Sequence, residues 1–427
     1  MVIFARKRIK TKDKRQKIKA KMPGVIRDID INDYDYDLPS DRIAQYPVNE
    51  RDRSQLLIYK EDKIVKDIFR NIDDWLPSDS LLVFNNTRVI RARILFHKKT
   101  GAVIEILCLE PISPFEYALS FSSKESVEWK CLIGNLKKWK GGILMTPFKY
   151  KGDQYKLYAE RFQSEGEAWQ IRFSWNCPEL SFSEVIEATG HIPLPPYINR
   201  EDEAEDYARY QTVYSSINGS VAAPTAGLHF TSLVFEKLIG KGIKSVEVTL
   251  HVSAGTFQPV KARNISCHEM HREHFFVNAK TIELLLDNQR KIIPVGTTSV
   301  RTLESLYWLG VKLIKNPFDT SSYLSLGQWE AYEMETTVSV KESLEALLNF
   351  LHGRNVSFLQ ASTSIIIIPG YKFRMINGMV TNFHQPRSTL LLIISAWTGN
   401  RWKDIYTFAL ENKFRFLSYG DSSLLLR

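Results

Sequence analysis

Histidines crowd into a few short strings rich in Gly, Pro, Thr and Ser. These strings are GHIPLPPYINR (190–200), AAPTAGLHF (222–230), TLHVSAGTFQPV (249–260), HEMHRE (268–273) and TNFHQPRST (381–389). VGTTSVRTLES (295–305) and SYGD (418–421) share the composition without a histidine. Small residues let backbone N–H groups and imidazoles approach a ligand closely, and loops of that kind carry function more often than packing. Any one string alone reads as a tight turn around a satisfied side chain. The set together points to a site.

Each string suits a different task. HEMHREH spaces His268, His271 and His274 three apart, with Glu269 and Glu273 between them. On a helix, residues at i and i+3 share a face, so pairs of these imidazoles would meet one ligand. That arrangement suits acid–base work or substrate contact. A metal site is a weaker reading, because the spacing is not HExxH and no matching carboxylate stands out. In VGTTSVRTLES, the apolar KIIPV ends at Gly296, and Thr297, Thr298 and Ser299 offer N-caps to a helix carrying Arg301 and Glu304. A strand–turn–helix with free N–H groups and an early Arg can hold a phosphate or carboxylate. An ordinary capped helix fits as well. TNFHQPRST repeats the layout: Ser388 or Thr389 caps TLLLIISAW, Gly399 ends it, and His384 and Arg387 stand at the loop mouth. Arg387 also reads as a plain surface charge.

The elements that must position these groups fall into two kinds. From 89 to 175 the chain is a run of short β-rich segments: RARILF, AVIEILCLE, YALSF, EWKCLI, GILMTPF, YKLYAERF and WQIRFSW. KKTG, KGGI, KGD and SEGE break them. Such a pattern predicts a small all-β barrel or sandwich. The flanks alternate instead. LVFEKLIGKG, KTIELLLDNQRK, KESLEALLNFLHG and the HEMHRE region read as helices, and SVEVTLHV and KIIPVG as strands, which is an α/β signature. The expected organisation is an α/β main domain built from both ends of the chain (28–88 and 176–427), with an inserted small β-barrel domain at 89–175. The apolar SIIIIP reads as a buried strand and LLLIISAW as a buried helix. Both are far shorter than the roughly 18–20 residues of a membrane span.

Composition limits the class further. The 427 residues are 44% hydrophobic, 12% aromatic and 25% charged, enough to bury a large core. The net charge of +9 belongs entirely to residues 1–21, which hold ten Lys or Arg against Asp13. Any polyanion surface on the body must then be a local patch. The basic 1–27 segment reads as an RNA-gathering arm, as a solvated disordered extension, or as residues upstream of a true start at Met22. Cys108, Cys131, Cys177 and Cys267 are widely spaced, which suggests neither a disulfide framework nor a four-thiolate site and fits a reducing cytoplasm. P-loop, GxSxG and GxGxxG fingerprints are absent, which disfavours a P-loop NTPase, a common serine hydrolase and a dinucleotide-binding unit.

From DYDLP (35–39) to the end, the chain resembles the S-adenosylmethionine:tRNA ribosyltransferase-isomerase family through DLPSDRIAQYP, RDRSQLL, LLVFNNTRV, GHIPLPPYI, YQTVY, AAPTAGLHF, TLHVSAGTF, HEMHRE, VGTTSVRTLES, PGYKF, TNFHQPRSTL and RFLSYGD. It departs from the family pattern at Ser253 (usually Gly), Gln385 (usually Leu), Asn86 (usually Asp) and GDSSL (usually GDAML). The segment between Gly310 and Ser357 is also long and variable. The resemblance implies an α/β domain joined to a smaller β-barrel. It implies a reaction on tRNA whose GUN anticodon carries 7-aminomethyl-7-deazaguanine. S-adenosylmethionine is consumed as co-substrate, no cofactor or metal is needed, adenine and methionine leave, and epoxyqueuosine-tRNA forms. A cytoplasmic monomer is expected.

For proton transfer the first choice is His271 with Glu273; His268, His384 and Asp421 are further candidates. Substrate contacts are expected from His191, Tyr197, Thr225, His229, Phe230, His251, Thr256, Thr297, Thr298, Arg301, Asn382 and Arg387. Among these, Arg301 and Arg387 would meet the methionine carboxylate or an RNA phosphate. Tyr197, Tyr214, Phe230 or Phe257 would pack on the base turned out of its stack. Two other classes are a metal-dependent hydrolase using HEMHREH and a non-catalytic RNA-binding protein.

Overall fold

LLVFN (Leu81–Asn85) is apolar along nearly its whole length and buried at every position, as a strand covered on both faces must be. In the computed structural model, which describes residues 28–253, 260–287, 291–316 and 323–427, this strand lies inside a six-stranded mixed sheet. The sheet runs in the order Ile292–Pro294, Leu81–Asn85, Lys244–Leu250, Glu273–Asn278, Phe358–Thr363 and Leu324–Leu326. The basic 1–27 segment and the expected contacts Thr256 and Phe257 lie outside the described residues.

A second, four-stranded sheet brings the two ends of the chain together. Gln55–Lys60 pairs in parallel with Ser422–Leu426, which runs antiparallel to Gly378–Asn382. A single bridge, Val295 to Val380, links it to the six-stranded sheet. The helix Thr297–Lys315 is buried almost throughout and packs on Val340–Gly353. Gly310 allows that approach, since a Cβ there would stand 2.2 Å from the Ser343 carbonyl oxygen.

The β-rich segment forms a curled seven-stranded antiparallel sheet. Its order is Gly190–His191, Arg93–His97, Val103–Ser113, Ser126–Gly134, Ala168–Trp175, Asp153–Glu165 and Leu144–Tyr150. Among the described residues no ladder joins Arg93–His97 to Leu144–Tyr150, so the sheet is a half-barrel. Trp129, Trp139, Phe173 and Phe182 give it a core of its own. Two of its reversals need positive φ, at Gly152 (99°) and Gly166 (62°), where the sequence places KGD and SEGE.

Three expected elements differ. YALSF is not a strand: Tyr117–Ser122 is a short helix, with the Ser120 hydroxyl accepting from Trp129 Nε1 at 2.9 Å. Five residues are too few for their period to separate one helical turn from a strand. SIIIIP is buried but irregular. Its backbone bonds go to Leu326 O, Gln328 O and the hydroxyls of Thr363 and Tyr332 rather than to a ladder. HEMHRE is not helical. A 3-10 turn at Ile265–Cys267 leads into an irregular 268–272, and Glu273–Asn278 is a strand paired with Phe358–Thr363. The run HFFV behind Glu273 is aromatic and β-branched, and pairing decides its conformation. LLLIISAW is the buried helix Thr389–Thr398, with Ser388 accepting from Leu391 N and Gly399 at its C-cap. No helix among the described residues is long and apolar enough to cross a membrane.

Candidate active site

Four of the small-residue strings, the tail of a fifth and Ser418 meet at one cleft with about 680 Å³ of open space. Tyr197 comes from GHIPLPPY, and Ala223, Pro224, Thr225 and Ala226 from AAPTAG. Val252 comes from TLHV, Gly296–Thr298 from VGTTS, and Thr381–Gln385 with Ser388 from TNFHQPRS. The Val252, Gly296–Thr298 and Thr381–Gln385 walls each stand where a strand ends, so the backbone is free to curve around a ligand.

The floor is the start of the Thr297 helix. Its N-cap is Gly296 at φ 89°, not a Thr or Ser, and no side chain caps it. Gly296 N donates to Val380 O at 2.8 Å, which ties the turn to the strand that leads into His384. Ser299 turns back to donate to Val295 O at 2.8 Å. The first-turn N–H groups therefore face the cleft without a side-chain cap, and Thr298 Oγ1 is buried with no partner. Such an end favours an anion or an electron-rich ligand atom.

The opposite wall is more self-satisfied. Thr225 Oγ1 donates to Asn382 Oδ1 at 3.3 Å, and Asn382 Nδ2 bonds Leu417 O at 3.2 Å. Tyr197 and Ser418 share a 2.6 Å hydroxyl–hydroxyl bond. His384 sits between the hydroxyls of Thr381 (3.2 Å) and Tyr406 (3.4 Å). Behind it, His229 holds Ser54 at 2.7 Å and Asn382 at 3.3 Å. His251 stacks on Tyr117 of the half-barrel, with ring centroids 3.9 Å apart.

Burial pushes His229, His251 and His384 each down to about 3, so all three are neutral at pH 7. Their unfolded values are near 6.5, so the unfolded chain binds more protons whenever pH falls below that value. The stability held by neutral imidazoles is complete above pH 6.5 and is lost as pH falls toward about 3. At pH 5.5 each should cost about 1.4 kcal/mol relative to pH 7.5. Urea unfolding at the two pH values measures this, and His229→Gln should flatten the dependence. An unchanged slope would mean that the imidazole titrates freely in the fold.

The three histidines of HEMHREH part company. His271 Nε2 lies 3.1 Å from Glu273 Oε1, within ion-pair range but off the line of a hydrogen bond. The other oxygen of Glu273 is bound to Arg301. Glu273 is fully buried; burial alone would raise its pKa, but Arg301 and His271 outweigh it and hold the carboxylate at about 2. His274 bonds the Tyr323 hydroxyl and lies 3.7 Å from Glu110 of the half-barrel. His268 is half-buried, and burial followed by the charge of His271 lowers its pKa. The shared helical face is therefore replaced by three separate environments. Among the described residues, no group of three or more His, Cys, Asp or Glu is placed to hold a metal ion. His268, His271, Glu273 and Arg301 do not line the cleft; Arg301 follows the cleft-lining Thr298 by one turn of the same helix, and Glu273 and His271 connect to it in turn.

Other expected residues stand away from the cleft. Asp421 is buried, which raises its pKa, and it accepts from Gln55 N (3.0 Å) and Arg415 N (2.7 Å), anchoring the last strand. Phe230 lies in the core against Phe69 and Phe84, and Tyr214 packs beside it. His191 pairs with Asp202 at 3.2 Å on the half-barrel edge. Arg387 is exposed, 3.6 Å from Asp35. The sequence reading missed Gln385, Ser388 and Ser418 as cleft residues, although all three lie inside or beside strings it had singled out.

A model of the family described as "Queuosine biosynthesis protein" matches residues 31–425. An S-adenosylmethionine:tRNA ribosyltransferase-isomerase of Treponema denticola is 37% identical over 401 residues, covering 92% of this chain and 99% of that one. The enzyme of the same name from Trichlorobacter lovleyi is 34% identical over 403 residues, covering 93% and 99%. A crystal structure of S-adenosylmethionine tRNA ribosyltransferase from Thermotoga maritima aligns over 92% of this chain at 26% identity with a TM-score of 0.44. With sequence likeness of this extent along almost the whole chain, the protein belongs to the S-adenosylmethionine:tRNA ribosyltransferase-isomerase family of queuosine biosynthesis.

Proposed function

We propose that this protein moves the ribosyl group of S-adenosylmethionine onto 7-aminomethyl-7-deazaguanine at the wobble position of tRNA with a GUN anticodon, isomerising it to epoxyqueuosine. The observation that carries this reading is the gathering of separate small-residue strings around one cleft in a chain of this family. The neutral walls of the cleft suit a nucleoside, and the uncapped start of the Thr297 helix suits an electron-rich group of the ligand. The positive sulfonium of S-adenosylmethionine makes the adjacent ribose carbon acidic. A base takes that proton, and a hydrogen-bond donor assists the departure of adenine. His271 is the base: the Glu273 carboxylate, 3.1 Å from Nε2, attracts that side of the ring by charge and leaves Nδ1 for the substrate, while Arg301 keeps Glu273 anionic. Thr225, Thr297, Thr298, Asn382, His384 and Tyr197 line the substrate's path. Residues 89–175 act as the bulk of an inserted domain, to which Phe182 and the Gly190–His191 strand also contribute, on a body made of 28–88 and the rest of 176–427, and the enzyme works as a cytoplasmic monomer.

Incubation with S-adenosylmethionine and precursor-bearing tRNA should release adenine and methionine in equal amounts. Release of S-adenosylhomocysteine instead would mean methyl transfer and would sink the proposal. Binding of tRNA with S-adenosylmethionine left intact would mark a non-catalytic RNA-binding protein. Neither that class nor a metal-dependent hydrolase has a specific observation in its favour.

A further inference from the structure

Beside the cleft, and sharing Ser418 with it, is a smaller pocket of about 280 Å³ lined by Pro47, Val48, Arg51, Arg209, His229 and Tyr419 among others. Arg51 and Arg209 line it and make no ion pair among the described residues, and Arg415 stands behind Tyr419. Arg51 donates to the carbonyls of Gln211 and Ala208 at 2.6 Å each. Arg209 donates to Val48 O, and its Nε is buried with no partner. Arg415 donates to Tyr46 O at 3.0 Å and Tyr419 O at 3.1 Å. Carbonyl dipoles orient a guanidinium but do not cancel its charge.

The nearby acids are engaged elsewhere. Asp206 is held by Arg200 at 2.6 Å and by the Tyr419 hydroxyl at 2.6 Å. Glu50 binds Arg70 and Arg53. Asp421 accepts from the N–H groups of Gln55 and Arg415 and pairs with the Arg415 guanidinium at 3.9 Å, so Arg51 and Arg209 are the two left without a carboxylate among the described residues. The repulsion is felt: burial first and then the charge of Arg209 lower the pKa of Arg51. At the rim, half-exposed Tyr46 lies under Arg200 at 4.2 Å, an aromatic face interleaved with the basic groups. Two arginines held only by carbonyls, with a third behind them and an exposed ring at hand, are what a nucleic-acid strand meets.

We propose that Arg51, Arg209 and Arg415 form a site for a backbone phosphodiester of the RNA whose nucleotide enters the adjoining cleft. The assignment rests on the tRNA reading above. It accounts for a chain whose body has no net charge outside 1–21 and still takes a polyanion: the charge is concentrated in a local patch of three arginines beside the cleft. A strand entering the cleft carries a phosphate on each side of the inserted nucleotide, and Ser418 is the shared wall.

The test uses the full-length protein and an anticodon stem-loop RNA with unmodified guanine, so that binding is read without turnover. Arg209→Gln and Arg415→Gln should each weaken binding roughly tenfold, and should reduce the slope of log affinity against log salt by about 0.7. Arg209→Lys should keep most of the slope. A single methylphosphonate beside the wobble nucleotide should weaken wild type by a similar factor and should add little to the loss in Arg209→Gln. Unaltered slopes, or losses from protein and RNA that simply multiply, would overturn the proposal. So would inorganic phosphate binding that needs Arg209 while RNA binding does not. Thermal melting of each variant distinguishes lost charge from lost fold: a drop in melting temperature that tracks the binding loss and is not rescued by Arg209→Lys would also overturn it. Because no step depends on S-adenosylmethionine, failure of the reaction reading and failure of this site give different results.

Discussion

His271→Ala should lower turnover by roughly 10²–10⁴-fold, the usual range for loss of a general base, with the melting temperature nearly unchanged. The side chain is 26% exposed and belongs to no core cluster, so its removal opens little cavity. Its value lies in its neighbours. The Glu273 carboxylate lies 3.1 Å from His271 Nε2, and Arg301 pairs with its other oxygen and keeps it charged. Rate, metal content and melting on His268→Ala, His271→Ala and His274→Ala separate the readings. A structural role would lower melting, with activity following the folded fraction. A metal role would lower metal content and make the wild type sensitive to chelator. Of the three variants, His271→Ala should be the most damaging to rate. His274→Ala should be the least damaging, since that ring is engaged with Tyr323 and Glu110. Near-normal turnover in His271→Ala would end the proposal and move the base to His384.

Glu273→Gln should destabilise the fold by about 3–5 kcal/mol, because it strands the Arg301 charge in a site where both side chains are almost wholly buried. Arg301 Nε and Nη2 already lack partners, so the remaining guanidinium would have even less to compensate it. Urea midpoints at pH 7.5 give the number. The double variant Glu273→Gln, Arg301→Met should recover a large part of the loss, since it removes the uncompensated charge. A single variant as stable as wild type would show that the pair is hydrated and not a buried one. Acid gives an independent reading. The folded pKa of Glu273 is about 2, below the ordinary 4.5, so its contribution is complete above about pH 4.5 and disappears as pH falls toward 2. The buried imidazoles act from pH 6.5 down to about 3, so above pH 4.5 their effect is read alone and below it the two add.

The sequence alone carried the alternation of element types, because period and turn chemistry are local. The strands at 93–175, the Ser388 cap and the helix at Thr389–Thr398 follow from residues within a few positions of one another. It also carried the family, since long ordered strings of Gly, Pro, Thr and His are a local record. It could not carry which string faces which. Tertiary pairing made HEMHRE a loop leading into a strand, because the ladder with Phe358–Thr363 outweighs any local helical spacing. Three histidines that are neighbours in sequence were thereby sent to Glu273, to Tyr323 and to a half-buried surface site. Burial, which only the fold determines, made His229 and His384 neutral and gave Asp421 to the scaffold. The pairing of Glu273 with Arg301, 28 residues apart in sequence, depends on two elements being packed together. The residue types were legible in the chain; the charge and aim of each were decided by its long-range neighbours, since solvation and Coulomb interactions act through space.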